Sequence, residues 1–107
     1  MRFAYAAIGT PYVWAGVGPN GYDCSGLTMA AWRAAGRSLP HNAAMQWNAL
    51  PHISRASLSP GDLVFYSRLG HVGIYVGNGQ IIHAPHAGDH VRLASVDVMP
   101  PYGYARP

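Results

Sequence analysis

The sequence carries little charge and contains a single cysteine, Cys24, among its 107 residues. A lone cysteine excludes an internal disulfide framework but is compatible with an extracellular location. No apolar run approaches the roughly 18 residues of a membrane span, so we expect no membrane insertion. The N-terminus lacks the pattern of a signal peptide and opens inside a predicted helix. We therefore expect residues 1–107 to be a single domain of a longer secreted protein, whose export signal lies elsewhere.

Lysine and glutamate are absent, so all seven basic residues are arginine and all four acidic residues are aspartate. The resulting net charge of +3 suits contact with an anionic polymer. The arginines are scattered and form no basic run interleaved with aromatics, so no nucleic-acid partner is expected. Apolar residues make up 50% of the chain and charged residues 10%, which indicates a globular domain. We also expect the protein to be a monomer.

The cysteine lies at the start of an alanine-rich segment that reads as a helix. Apolar residues recur on one face at helical spacing: Leu27, Ala30, Ala31 and Ala34. Asp23 is a good N-cap and Gly36 a good residue to end the helix, so Cys24 falls in the first turn. The unpaired backbone N–H groups and the helix dipole there favour a thiolate, which is the nucleophilic form of cysteine. The same N–H groups can stabilise an oxyanion on an attacked carbonyl.

Helices are predicted at the front of the chain and strands behind them. A first helix ends near Gly9, and Asn42 caps another that includes Gln46, which we expect to be solvated. Residues 51–58 read as irregular. Five segments alternate or are β-branched and read as strands: 63–66, 71–76, 80–84, 91–96 and 102–104. This order predicts an α+β domain, with N-terminal helices packed on an antiparallel sheet of about five strands.

A reactive cysteine needs a base, and the predicted strand at 71–76 offers His71. Its β-branched positions can face the core, which leaves His71 and Gly73 on the other face. If residues 77–79 form a three-residue loop, His83 lies opposite Gly73 and on the same face as His71. With a two-residue turn, His83 would face the opposite way. We predict the three-residue loop, and a hydrogen bond between the rings by which His83 orients His71.

The remaining histidines give weaker signals. His41, His52 and His90 are expected in surface loops, and His86 follows Pro85 in a loop, where it can line a pocket. The spacing of His83, His86 and His90 is compatible with a metal site on a helix, but Pro85 and Gly88 interrupt the segment. Since no second cysteine or glutamate completes a ligand set, we expect neither a metal nor another cofactor.

Four motifs together resemble the NlpC-type cell-wall endopeptidases, a family of compact papain-like cysteine peptidases, and most of all its actinobacterial members. They are residues 9–14 (Gly-Thr-Pro-Tyr-Val-Trp), 23–27 (Asp-Cys-Ser-Gly-Leu), 60–65 (Pro-Gly-Asp-Leu-Val-Phe) and 71–77 (His-Val-Gly-Ile-Tyr-Val-Gly). The resemblance implies a papain-like catalytic domain, secreted or associated with the cell wall. It implies hydrolysis of peptidoglycan stem peptides between γ-D-glutamate and meso-diaminopimelate through a thioester.

The resemblance also implies roles for individual residues. Cys24 is the expected nucleophile, His71 the general base and acid, and His83 the third polar residue; Tyr12, Asp23 and Ser25 are expected to line the substrate cleft. A histidine in the third position is expected to raise the pKa of His71 less than a carboxylate would. The chain departs from the family at Ala15, where a glycine is usual, and at 41–43, where His-Asn-Ala replaces Arg-Thr-Ser.

Two alternatives use the same fold. One is a peptidoglycan-binding module without catalysis, which the presence of both Cys24 and His71 disfavours. The other is a cysteine amidase or acyltransferase that applies the same pair to a different acyl group. The sequence does not separate these functions, because substrate choice depends on the shape of the cleft.

Overall fold

The computed structural model describes residues 1–107 as three helices followed by six strands, which confirms the α+β prediction. The helices are α1 (Arg2–Ala7), α2 (Cys24–Ala34) and α3 (Ala43–Ala49); the strands are β1 (His52–Ile53), β2 (Leu63–Tyr66), β3 (His71–Gly77), β4 (Gln80–His83), β5 (Arg92–Ser95) and β6 (Pro101–Ala105). None of the helices has the length and apolar character needed to cross a bilayer.

The strands form one antiparallel sheet in the order β1-β6-β2-β3-β4-β5. The sixth strand is β1, which lies in the segment predicted to be irregular. It pairs with β6 through His52 opposite Ala105 and Ile53 opposite Tyr104. Two residues are too few to show a period-2 pattern, so pairing with β6 is what makes this segment a strand.

The sheet buries both of its faces. The helices cover one face, where the main core includes Leu27 of α2 and Leu63, Phe65, Val72, Ile74 and Ile82 of the sheet. A smaller cluster on the opposite face contains Val64, Tyr66, Ile81 and Val96. The alternation predicted for β3 is therefore confirmed, and His71 lies on the face away from the helices.

Helix α2 has the predicted ends but not the whole of the predicted buried face. Leu27 and Ala31 are buried, whereas Ala34 is exposed and Thr28 is fully buried. Thr28 can be buried because its hydroxyl is hydrogen-bonded inside the protein. The buried face of α2 thus lies further toward the N-terminal end of the helix than the spacing of its apolar residues predicts.

The turn between β3 and β4 differs from the predicted three-residue loop. Only Asn78 and Gly79 form the turn, and Gly77 pairs with Gln80. Both turn residues and the last residue of β3 have positive φ angles, at 54° for Asn78, 70° for Gly79 and 93° for Gly77. These are the backbone angles that tight hairpin turns require and that glycine and asparagine tolerate best.

A β-bulge next to this turn restores the predicted register. The pairing shifts by one residue on β3 after Tyr75, so that Ile74 lies opposite Ile82. One position further along, Gly73 faces His83, and a Cβ built on Gly73 would lie 3.3 Å from the Cβ of His83. Gly73 thus leaves the space beside His71 into which His83 fits, as the sequence predicted.

Candidate active site

Cys24 is the first residue of α2, and the cap of that helix surrounds it. The Asp23 carboxylate accepts a hydrogen bond of 2.6 Å from the Gly26 N–H. The Leu27 N–H bonds to the Asp23 carbonyl at 3.0 Å. The N–H groups of Cys24 and Ser25 are not needed for this cap, and they are the ones that remain to bind an oxyanion beside the thiol.

The loop before Cys24 packs closely against the helix. The Gly16 carbonyl accepts the Asp23 N–H at 2.9 Å, and it would be only 1.9 Å from a Cβ at position 26. A side chain at Gly26 would therefore push this loop away from the helix. Ala15 stands where the resembled family has a glycine, and its φ of 58° lies in the left-handed region that glycine prefers.

The environment of Cys24 does not favour the thiolate, and the prediction that it would is wrong for the free protein. Burial raises the pKa of the thiol, and the Asp23 carboxylate adds to this. The backbone N–H groups of Val72 and Ser25 act in the opposite direction but do not outweigh burial. The contact with Val72 shows that the sulfur lies against the residue that follows His71.

His71 and His83 are in the contact that the register predicts. Their rings are joined by a hydrogen bond of 2.8 Å between His71 Nε2 and His83 Nδ1. The two residues are 7% and 3% exposed. No buried polar side-chain atom lacks a hydrogen-bond partner. Consequently the two nitrogens outside this bond, His71 Nδ1 and His83 Nε2, must reach solvent-accessible space.

Burial keeps both rings neutral. It lowers the pKa of His71 to about 4, with smaller effects from His83 and His86, and it lowers that of His83 to about 4, with a smaller effect from Arg92. The expectation of a raised pKa for His71 is therefore wrong. Its partner supplies no negative charge to offset the cost of burying a cation.

We expect the buried pair to make folding stability depend on pH. Between about pH 6.5 and pH 4 the unfolded chain binds protons that the folded chain does not, so stability falls as the pH falls. Urea denaturation should show a loss of about 2–4 kcal/mol between pH 7 and pH 5. His83→Gln should reduce this loss, and His52→Gln, at an exposed position, should not. Equal losses in both variants would contradict the assignment to the buried pair.

Of the three residues predicted to line the cleft, Tyr12 and Asp23 lie close to the thiol, and Ser25 is buried. Burial raises the pKa of Tyr12, and the nearby charges of Cys24 and Asp23 raise it further, so all three groups are neighbours. Ser25 follows Cys24 in the helix, but it is only 5% exposed. Little of its side chain is therefore open to a substrate.

His41 has a closer relation to this site than the sequence indicated. It lies in an exposed loop as expected, but its Nε2 is 2.9 Å and 3.0 Å from the two carboxylate oxygens of Asp23. The Asp23 carboxylate therefore caps the helix and also contacts His41, and its Oδ1 takes part in both interactions. The signal for this contact was only indirect, in the replacement of an arginine of the resembled family at position 41.

Gln46 is fully buried, so the prediction of a solvated residue is wrong. Its Nε2 donates to the Ser25 carbonyl at 3.0 Å and to the Pro40 carbonyl at 2.8 Å. Its Oε1 accepts from the Thr28 hydroxyl at 2.8 Å. The side chain thereby ties the first turn of α2 to the segment that carries His41. Its spacing from Ala43 and Leu50, both buried, was the signal in the sequence.

Replacing Gln46 with glutamate is expected to destabilise the fold by about 2–4 kcal/mol. The change keeps the shape but removes two donors and places oxygen against two buried carbonyls. Thermal unfolding at neutral pH should show a decrease in Tm of about 10 °C or more. The matched control is Gln80→Glu, at a half-buried position in the β3–β4 hairpin, which should change Tm little. A small effect at both positions would contradict the role of Gln46.

The three histidines considered as metal ligands do not converge. The structure groups no three histidine, cysteine or acidic side chains around one point. His86 and His90 instead lie near Asp89, at 3.7 Å and 3.3 Å from its carboxylate oxygens. His83 is bound to His71 on the buried side of the same region.

Comparison with known proteins gives a consistent result. The model of the NlpC/P60 family matches residues 9–102. A probable endopeptidase of Mycobacterium tuberculosis is 40% identical over 107 residues, covering 99% of this chain and 28% of that protein. One of Corynebacterium glutamicum is 42% identical over 98 residues, covering 91% of this chain and 47% of that protein. The chain thus spans less than half the length of these two relatives.

Solved structures share the fold along nearly the whole chain. The NlpC/p60 domain of the peptidoglycan hydrolase SagA has a TM-score of 0.89 at 39% identity, covering 99% of this chain and 94% of that one. The peptidoglycan hydrolase RipB from Mycobacterium tuberculosis has a TM-score of 0.88 at 32% identity, covering 98% of this chain and 61% of that one.

Proposed function

Because the chain belongs to the NlpC/P60 family, as its motifs indicated, we propose that it is the catalytic domain of a peptidoglycan-cleaving cysteine endopeptidase. Cys24 is the nucleophile, His71 the general base and acid, and His83 the ring that orients His71. The observation that carries this proposal is the buried His71–His83 pair, whose neighbour in the chain, Val72, has its backbone N–H against the sulfur of a cysteine at a helix N-terminus.

The hydrogen bond between the histidines determines which nitrogen acts as the base. His71 Nε2 is engaged with His83, so Nδ1 is the nitrogen that can take the thiol proton. For Nδ1 to hold a free lone pair, the proton of His71 must be on Nε2, donated to His83 Nδ1. His83 then carries its own proton on Nε2.

The reaction follows as acyl transfer in two steps. The Cys24 sulfur attacks the amide carbonyl while His71 Nδ1 takes the thiol proton, and the N–H groups of Cys24 and Ser25 hold the oxyanion. His71 then gives the proton to the leaving amine, which breaks the C–N bond and leaves a thioester. Water, deprotonated by His71, attacks the thioester and releases the acid and the thiol.

The raised pKa of Cys24 and the lowered pKa of His71 keep the free pair as thiol and neutral imidazole. Proton transfer therefore accompanies attack on the bound substrate rather than preceding it. A substrate that covers the cleft shields the developing ion pair from water, which strengthens the attraction between its two charges. We infer that Cys24 of the free enzyme is alkylated by small reagents more slowly than is usual for the nucleophile of a cysteine peptidase.

The substrate class comes from the family and from the groups around the thiol. We propose cleavage of stem peptides between γ-D-glutamate and meso-diaminopimelate, with Tyr12 and Asp23 contacting the peptide. The setting is extracellular or in the cell wall, since that is where the polymer is found. A net charge of +3 is suited to approaching a wall that carries many carboxylates.

Mass spectrometry of defined stem peptides tests this proposal. The protein is incubated with a tripeptide and a tetrapeptide that contain the γ-D-glutamyl bond, and with analogues in which that bond is α-linked. Products from the γ-linked peptides alone, cut after glutamate, are expected. Cleavage at another bond would refute the proposed specificity, and transfer of the acyl group to an added amine in preference to water would indicate an acyltransferase.

A further inference from the structure

A cavity of about 350 Å³ lies behind His83, on the side away from its bond to His71. Its lining includes His83, Pro85, His86, Arg92, Leu93 and Met99. The Asp89 carboxylate also lines the cavity, where it accepts from the His90 N–H at 2.8 Å and from Arg92 at 3.4 Å. The cavity combines apolar walls with a small number of polar groups, which is the usual composition of a ligand site. None of the steps described for the reaction uses it.

His83 connects this cavity to the catalytic pair. The residue is only 3% exposed, its Nδ1 is bonded to His71, and its Nε2 has no partner within the protein. Since no buried polar atom of the protein lacks a partner, the Nε2 of His83 must reach accessible space, and the cavity that His83 lines provides it. In the productive tautomer this nitrogen carries a proton, so a donor faces the cavity.

Arg92 supplies positive charge to the same cavity. It lies directly opposite His83 in the β4–β5 ladder, and its charge contributes to the lowered pKa of His83. Its one bond to Asp89 is long, at 3.4 Å, and involves Nη1 alone. The other guanidinium N–H groups are therefore free to bind an acceptor. His86 lies at the same opening, 3.7 Å from Asp89.

We propose that this cavity is a subsite for a carboxylate group, held by Arg92 and by the Nε2–H of His83. A planar guanidinium fork and a ring N–H are donors that suit a carboxylate, and Leu93 and Met99 can contact the carbon chain that bears it. A neutral amide of the same shape pairs less well with Arg92 and His83. It lacks the negative charge, and its own N–H donors face the N–H donors of the two side chains.

Binding at this subsite has a consequence for His71. A carboxylate that accepts from His83 Nε2 stabilises the tautomer in which His83 Nδ1 is an acceptor. That tautomer holds the His71 proton on Nε2 and leaves Nδ1 free to act as the base. The bound ligand thus supplies the negative charge that a carboxylate residue in the third position would have supplied.

A titration that needs no hydrolysis tests the subsite. Histidine-labelled protein is titrated at pH 7 and constant ionic strength with acetate, and in parallel with acetamide, while the ring ¹⁵N signals are recorded; His83→Gln assigns the His83 signals. We expect acetate to shift the His83 signals saturably and acetamide not to shift them. Arg92→Gln should weaken acetate binding at least tenfold, and Arg37→Gln, at an exposed site on another part of the surface, should not.

Shifts that do not saturate, or that are the same with acetamide or in Arg92→Gln, would overturn the proposal. Arg92 is more than half exposed, so its replacement is not expected to affect folding. Because this titration is independent of turnover, its failure is distinct from failure of the proposed function.

A second experiment, which rests on the proposed function, uses the substrate to determine where the bound carboxylate comes from. Stem peptides with free and with amidated carboxylates are compared in the parent, Arg92→Gln and Arg37→Gln proteins. If the substrate supplies the group, amidation raises KM in the parent and in Arg37→Gln but not in Arg92→Gln. If amidation acts equally in all three while added acetate raises kcat, a free carboxylate occupies the subsite.

Discussion

Replacing Cys24 with alanine is expected to lower the rate of stem-peptide hydrolysis by about 10⁴-fold or more. The change removes the only nucleophilic sulfur in the chain, and no other side chain of this type can take its place. What remains is the oxyanion site and the bound substrate, which give only a small part of the rate. Product formation from the γ-linked tripeptide, followed by mass spectrometry over long incubations, measures the loss.

The uniqueness of Cys24 makes the control direct. Labelling with iodoacetamide should add one group to the parent and none to the variant, and the rate of labelling should rise with pH because burial raises the pKa of the thiol. Circular dichroism should show the same fold for both proteins. Residual activity above about one per cent of the parent rate would contradict the assignment of Cys24 as nucleophile.

Replacing His71 with glutamine is expected to lower kcat by about 10³–10⁴-fold, with a much smaller change in KM. Glutamine can retain the hydrogen bond to His83 but cannot accept and return a proton. Replacing His83 with glutamine should cost less, about 10–100-fold, because the amide oxygen can still accept from His71 Nε2 and hold the ring in place. Steady-state kinetics on the γ-linked tripeptide separates the two effects.

The matched control for both is His52→Gln. His52 stacks on Trp47 at 3.5 Å between ring centroids and bonds to the Trp47 carbonyl, and it makes no hydrogen bond to His71 or His83. The His52→Gln variant should retain the kcat of the parent protein. If His83→Gln proved as damaging as His71→Gln, His83 would have to take part in proton transfer itself, and the orienting role would be wrong.

The sequence predicted those parts of the fold and site that depend on local signals. The cap at Asp23, the end of α2 near Gly36 and the cap at Asn42 follow from backbone groups that need partners within three or four residues. The shared face of His71 and His83 follows from the period of two along a strand. The register was predicted correctly although the turn was not, because a bulge offset the shorter turn.

The missed features depend on what surrounds a residue in three dimensions. Burial of the thiol outweighs the helix terminus at Cys24, and no local pattern reports how much of a side chain is covered. Gln46 is polar and on a helix, and it can be buried because it is hydrogen-bonded to Ser25 and Thr28 of another helix and to the Pro40 carbonyl. Strand β1 exists because β6 is available to pair with it.

The bulge before the β3–β4 turn also constrains how this hairpin can change in evolution. Removing one of residues 77–79 leaves two residues between Val76 and Gln80, which can form a regular two-residue turn without the bulge and keep Ile74 opposite Ile82. An odd change in length turns β4 over only where no bulge is gained or lost with it. The bulge therefore lets this surface turn change length while His71 and His83 stay on one face. Among homologues that keep the two histidines together, hairpins whose lengths differ by an odd number should differ in the presence of a bulge.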